Sequence, residues 1–288
     1  MQQQEFGHHI VLEDCSQLRA RGREALAGSW VAAAITMFVF YIIASQIPSL
    51  IDMFFGKVQT VDLSNFLSGD TASQLGNTEI EIRQSPVSDL YRLLVVPPIT
   101  YGMTVYFLDL FRNNARATTD LFAGFERFLK TVLLWIYMII FIILWALIPI
   151  AGPFLAIRAA IRYSQSFRLM SDFPELSVPE CVDESKRLME GNKMKYFVLG
   201  LSFIGWYILA IVIVAVIAGV LGGIMGAGSA LSGGGSPNFQ LASWIATTIG
   251  LIPVAFVTAY VQTAETGFYE LVSGKINGNT SYVRDDMI

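Results

Sequence analysis

Apolar residues occupy this chain in long uninterrupted blocks. No charged side chain occurs between Ala25 and Ile51, between Thr131 and Ile157, or between Tyr196 and Ala264. A helix needs roughly 20 apolar residues to cross about 30 Å of hydrocarbon. Each of the first two blocks can therefore hold one crossing, and the third can hold two. A helix lying on a soluble core keeps one polar face. The stretch from Thr131 to Ile148 is apolar all round. The pattern predicts an all-α chain, a polytopic transmembrane helical bundle of six spans arranged as three hairpins. The spans are expected at about 30–50, 91–111, 128–148, 153–170, 196–221 and 241–263. They form a membrane domain over 25–271, between an N-terminal segment (1–24) and a C-terminal tail (272–288).

Short polar stretches separate the spans. Gly56 to Asp89 is polar and mildly acidic and suits a small cap. Gly222 to Pro237 is rich in Gly and Ser and is expected to be flexible. Ile150 to Gly152 leaves room only for a tight turn. His8 and His9 are expected in a frayed terminus. Each hairpin is preceded by an amphipathic segment containing glycine: Arg23 to Gly28, Asp120 to Phe125, and Arg187 to Gly191. In the second of these, Leu121, Phe122, Phe125 and Phe128 form an apolar stripe for an interfacial helix. Ser177, Pro179 and Glu180 read as the capped start of an inner-face helix from about Val178 to Glu190. Each hairpin's second helix has a proline, and each ends in an aromatic and acidic cluster: Phe107 with Asp109, Phe167 with Asp172, and Phe268 with Glu270. Three quasi-equivalent units are therefore expected.

Charge gives the orientation. Charged residues make up 15% of the chain, against 54% hydrophobic, and soluble domains carry roughly 25%. With the N-terminus inside, the basic residues of the outer segments are Lys57, Arg83 and the border residue Arg92. Arg158 and Arg162 lie within the fourth span, and every other Lys and Arg falls inside. Cytoplasmic flanks are enriched in Lys and Arg, so both termini are expected in the cytoplasm. The same rule requires the fourth span to cross, or the basic stretch around Lys186 would lie outside. A net charge of −4 gives no basic character for nucleic acid. Cys15 and Cys181 fall on the cytoplasmic side, where a disulfide is not expected.

The candidate chemistry centres on Arg158, Arg162 and Gln165, which share one helix face. A charge at mid-membrane costs about 2.5–3.5 kcal/mol on insertion scales, so two arginines need a reason. One reading is a site for an anion or a lipid headgroup. The other is structural pairing, with Asp109, Glu265 and Asp52 as candidate charge partners. Pro97, Pro98 and Pro253 fall inside spans and are candidates for helix kinks. No HExxH, CxxC, GxSxG or phosphate-binding GxxxxGK[ST] pattern is present. Neither catalysis, nor a metal, nor a cofactor is expected.

Several segments resemble one bacterial integral-membrane family, domain of unknown function 975. They are Leu18–Trp30, Asp120–Phe128, Trp145–Gly152, Ser171–Ser177, Glu184–Gly191, Phe197–Trp206, and Leu251–Pro253 with Tyr260. The resemblance covers most of residues 18–271. It implies a multi-pass protein of the bacterial inner (plasma) membrane and supplies no catalytic residue. The leading expectation is a non-enzymatic membrane scaffold or accessory component. Its partners would be the lipid bilayer and a membrane protein at the cytoplasmic face. The alternative is a small transporter or lipid- or anion-binding protein using the arginine pair. A scaffold requires Arg158 and Arg162 to be buried against carboxylates or carbonyls, whereas a binding protein requires them unpaired and lining a cavity.

Overall fold

A computed structural model describes residues 8–62, 79–232, 237–278 and 280–282. It is helical almost throughout. Two compact units are distinguished: Met1–Tyr41 with Pro97–Ile288, and Ile42–Val96.

The larger unit begins with strand β1 (His9–Val11) and helices α1 (Cys15–Ala25) and α2 (Trp30–Tyr41). The smaller unit follows as a π-helical turn, Ile42–Gln46, helix α3 (Ile47–Phe55) and strands β2 (Lys57–Asp62) and β3 (Glu79–Gln84). These strands pair antiparallel from Lys57 opposite Gln84 to Asp62 opposite Glu79. The polar segment expected as a cap is thus a two-stranded ribbon at its described ends; residues 63–78 lie outside the described residues. Within this unit Asp52 accepts from Ser85 N–H and from Arg92 Nη2, both at 2.9 Å.

Helix α4 (Pro86–Phe111) continues through Pro97 and Pro98. A ten-residue 3₁₀ helix, Thr118–Arg127, follows in the larger unit. Its pitch brings residues i and i+3 into register, so Phe122, Phe125 and Phe128 form a column of rings spaced 6.2 and 6.3 Å apart. The column is exposed, while Leu121 and Gly124 are buried. Gly124 lies so close to the Pro98 carbonyl, and Gly102 to the Leu121 carbonyl, that neither position has room for a Cβ.

Helices α5 (Phe128–Ala146) and α6 (Gly152–Tyr163) form a hairpin around a turn in which Ile150 has φ 66°. The expected fourth span is divided. Helix α6 ends at Tyr163, and α7 (Ser166–Asp172) starts after a break at Ser164 and Gln165. Helix α8 (Val178–Leu188) begins at the capping box read from sequence, with Glu180 accepting from Ser177 N–H at 2.7 Å. Cys181 and Val182 of α8 enter a core with Leu134, Met138, Ala159 and Tyr163.

Helix α9 (Lys193–Leu201) is separated by a short turn from α10 (Ile204–Ser232), and α11 (Pro237–Val272) packs against both α2 and α10. The segment 222–232, expected as a flexible loop, is helical. Residues 233–236 lie outside the described residues.

Strand β4 (Thr280–Tyr282) pairs antiparallel with β1, Val11 facing Thr280. The N-terminal segment is therefore ordered from His8 onward rather than frayed. Asn192, fully buried, accepts from Val11 N–H and donates to the His9 carbonyl, both at 2.9 Å. The glycines closing the first and third amphipathic segments, Gly28 (φ 77°) and Gly191 (φ 75°), both adopt the left-handed conformation that ends a helix. Gly124 of the second does not, because there the chain is 3₁₀ and the glycine serves close approach.

Among the described residues five helical stretches, where the sequence suggested six spans, are long and apolar enough to cross a membrane: Trp30–Phe55, Pro86–Phe111, Thr118–Ala146, Lys193–Ile217 and Trp244–Val272. Many of their outward side chains are apolar. Ile208, Leu209, Ile211, Val212 and Ile213 are all exposed along one stretch of α10.

Candidate functional site

Arg158 and Arg162 stand one turn apart on α6 and line a cavity of about 240 Å³ together with Trp145, Leu155 and Ala159. Ridge spacing on α5 and α6 explains the arrangement: Ala159 packs inward, and the two arginines flank the groove beside Trp145. Arg158 is exposed. Arg162 Nε is buried and has no hydrogen-bond partner. Among the described residues no carboxylate pairs with either guanidinium. Lys193, at the start of α9, lies 3.9 Å from Glu190, and the two arginines are the charged side chains that line the cavity among the described residues.

Helix α8 packs beside the pair. Ser185 Oγ donates to the Arg162 carbonyl at 2.7 Å. Arg162 thus sits beside a helix rich in charged side chains. Its place in the last turn of α6 also sets its charge at the negative end of the helix dipole.

Gln165 does not continue this face. The break at Ser164 ends the α-helical register, so the i, i+4 spacing that holds from Arg158 to Arg162 fails beyond it. Gln165 is fully buried, and its Oε1 accepts from Arg168 Nη1 at 3.0 Å.

The expected charge partners have other roles. Glu265 meets Arg168 at 3.4 Å. Structural pairing of an arginine therefore occurs, but on α7 beyond the break. Asp109 accepts from Asn114 Nδ2 at 3.0 Å. Asp52 pairs with Arg92 in the smaller unit. Pro97 and Pro98 are buried within α4, and Pro253 lines an apolar slot beside α10.

Sequence reasoning missed a buried charge cluster where three segments meet. Arg112, just after α4, donates to both oxygens of Asp172 at 2.8 and 3.1 Å and, through Nε at 3.0 Å, to Glu270. Lys275 Nζ lies 2.6 Å from Asp172, and the Tyr269 hydroxyl donates to the same carboxylate at 2.6 Å. Burial opposes ionisation of Asp172, but the bonds from Arg112, Lys275 and Tyr269 outweigh it and hold the carboxyl below its usual range. The aromatic and acidic clusters at the hairpin ends were the available signal, since two of the three converge here. Two cations face two anions, so the node is satisfied internally. Nearby, burial pushes the Cys181 thiol up to about 11, which makes it a poor nucleophile.

Comparison with known proteins gives a family and no activity. The family described as Protein of unknown function (DUF975) matches residues 12–160 and 152–275. No curated protein and no solved structure matches the chain. With both matched stretches taken together covering nearly its whole length, the chain belongs to the DUF975 family of proteins of unknown function.

Proposed function

We propose that this is a non-enzymatic multi-pass protein of the bacterial plasma membrane that binds a phosphate-type anionic group, above all a lipid headgroup, at Arg158 and Arg162. The membrane reading is supported by the outward-facing apolar helices, whose exposed side chains would be costly in water. An even number of crossings is supported by the pairing of β1 with β4, which holds both chain ends together. The distribution of Lys and Arg favours a cytoplasmic location for both ends.

One observation carries the binding reading. Both arginines are free of carboxylates, and Arg162 Nε is buried without a partner on a cavity wall. Buried donors left unsatisfied are costly, and a phosphate oxygen is the acceptor a guanidinium fits best. The cavity, at about 240 Å³, is below the roughly 300–1,000 Å³ of small-molecule sites. It suits a headgroup phosphate rather than a whole transported solute. Trp145 supplies the aromatic edge common at bilayer interfaces. Among the described residues neither guanidinium meets a carboxylate or carbonyl, which favours this reading over a scaffold.

Native mass spectrometry of the full chain in detergent tests this. Phosphatidylglycerol should be retained over phosphatidylcholine, and R158Q/R162Q should lose one bound lipid. If inorganic phosphate competes the lipid off at millimolar concentration, the site recognises the phosphate alone. Equal lipid retention by wild type and R158Q/R162Q would reject the site.

A further inference from the structure

A second cation stands at the end of an apolar slot. A cavity of about 450 Å³ lies between α2, α10 and α11, and among the described residues Arg23 is the one charged side chain lining it. Arg23 Nη1 donates to the Tyr260 hydroxyl at 2.7 Å. The Tyr260 ring is flanked by Trp30 at 5.7 Å and Trp206 at 6.1 Å. A guanidinium carries five N–H donors. One is used here, and among the described residues no carboxylate meets the others.

The slot runs along the helices away from this cation. On α10 its wall extends from Trp206 to Ile213, and on the antiparallel α11 from Tyr260 to Pro253. Seven residues of helix correspond to about 10 Å. A smaller apolar cavity of about 250 Å³, between α2 and α11, lies against the same Phe256 and is lined by Val31, Ile35 and Phe38. Two apolar slots therefore share one phenylalanine, and one of them ends at a cation that meets no carboxylate among the described residues.

We propose that α2, α10 and α11 hold one anionic glycerophospholipid, its phosphate on Arg23 and its two acyl chains in the slots beside Phe256. Lipid tails are as apolar as the side chains lining the slots, so the chains give fit and Arg23 gives selection. A net-neutral headgroup leaves the Arg23 charge unmet at the edge of the hydrocarbon. This site rests on the membrane reading and is independent of the Arg158 cavity.

The test uses the full chain carrying R158Q/R162Q, so that the first site is silent. The protein is equilibrated in detergent with equal amounts of phosphatidylglycerol and phosphatidylcholine and examined by native mass spectrometry. One lipid should be retained, with about five-fold preference for phosphatidylglycerol, the effect of one basic residue near the surface. R23Q should abolish the preference and R23K should keep it. Y260F removes the protein partner of Arg23 but not its charge, so the preference should persist. A210F, which grows into the larger slot, should reduce retention of both lipids. Equal retention of the two lipids by the parent, persistence of the preference in R23Q, or unchanged retention in A210F would overturn the proposal. Failure of the first site shows separately, as no difference between wild type and R158Q/R162Q.

Discussion

Arg112 and Asp172 face each other in a two-pronged contact, 2.8 and 3.1 Å, that joins the end of α4 to the end of α7. Glu270 at the end of α11 shares the same guanidinium. Removing Arg112 leaves two carboxylates buried without their main partner. R112Q should therefore lower the unfolding free energy in detergent by roughly 3 kcal/mol. K275Q should cost under about 1 kcal/mol, because Lys275 is a third exposed and Asp172 keeps Arg112. Urea or thermal unfolding followed by circular dichroism separates the two; equal losses would contradict the central place of Arg112.

The same node makes stability depend on pH in one direction. Asp172 is held below the usual carboxylate range in the folded protein, while in the unfolded chain it titrates near about 3.9. Between the two values the unfolded state binds more protons, so stability rises with pH there. The contribution is complete above about pH 4–5 and is lost as pH falls through the folded value. A melting series from pH 7 to pH 3 should show a fall confined to the acid end. D172N, less stable at pH 7, should show a shallower one.

Close backbone approach predicts opposite outcomes for two glycines. A Cβ at Gly124 meets the backbone of Pro98, which cannot yield as a flexible side chain would. G124A should cost about 1–3 kcal/mol. Gly200 lies in α9 with open space around it, and G200A should be neutral or stabilise by up to about 1 kcal/mol. Paired melting curves decide this, and a tolerated G124A would show that the 3₁₀ helix is not held against α4.

Ile150 is β-branched, 94% exposed, and has φ 66°. That conformation costs an L-residue roughly 1–2 kcal/mol. I150G should raise the unfolding free energy by about 1 kcal/mol without altering lipid retention. A destabilised I150G would mean that the side chain is held by the bilayer.

The helical class, the positions of the long apolar helices and the capped start of α8 were legible in the sequence. They depend on local pattern: runs of apolar residues, and a Ser and a Glu three positions apart. The break at Ser164 was not legible, because Ser and Gln are compatible with a continuing helix and the reason for stopping is tertiary. That break separates Gln165 from the arginine face. It also places Arg168, rather than Arg158 or Arg162, against Glu265. The pairings of Asp52 with Arg92 and of Arg112 with Asp172 and Glu270 join positions 40 to 158 residues apart. No spacing rule reaches that far. The Gly/Ser stretch misled because composition alone does not distinguish a linker from a helix.

The claim that Arg158 and Arg162 are free to bind, rather than part of the framework, is tested most directly by the unfolding free energy of delipidated R158Q/R162Q. Arginines that meet no carboxylate among the described residues contribute no ion pair, and the helix-end placement of Arg162 adds only a few tenths of a kcal/mol. The variant should match wild type within about 0.5 kcal/mol, or exceed it through relief of like-charge repulsion. A loss of about 3 kcal/mol or more, the cost of breaking a buried ion pair, would show that both arginines are structural.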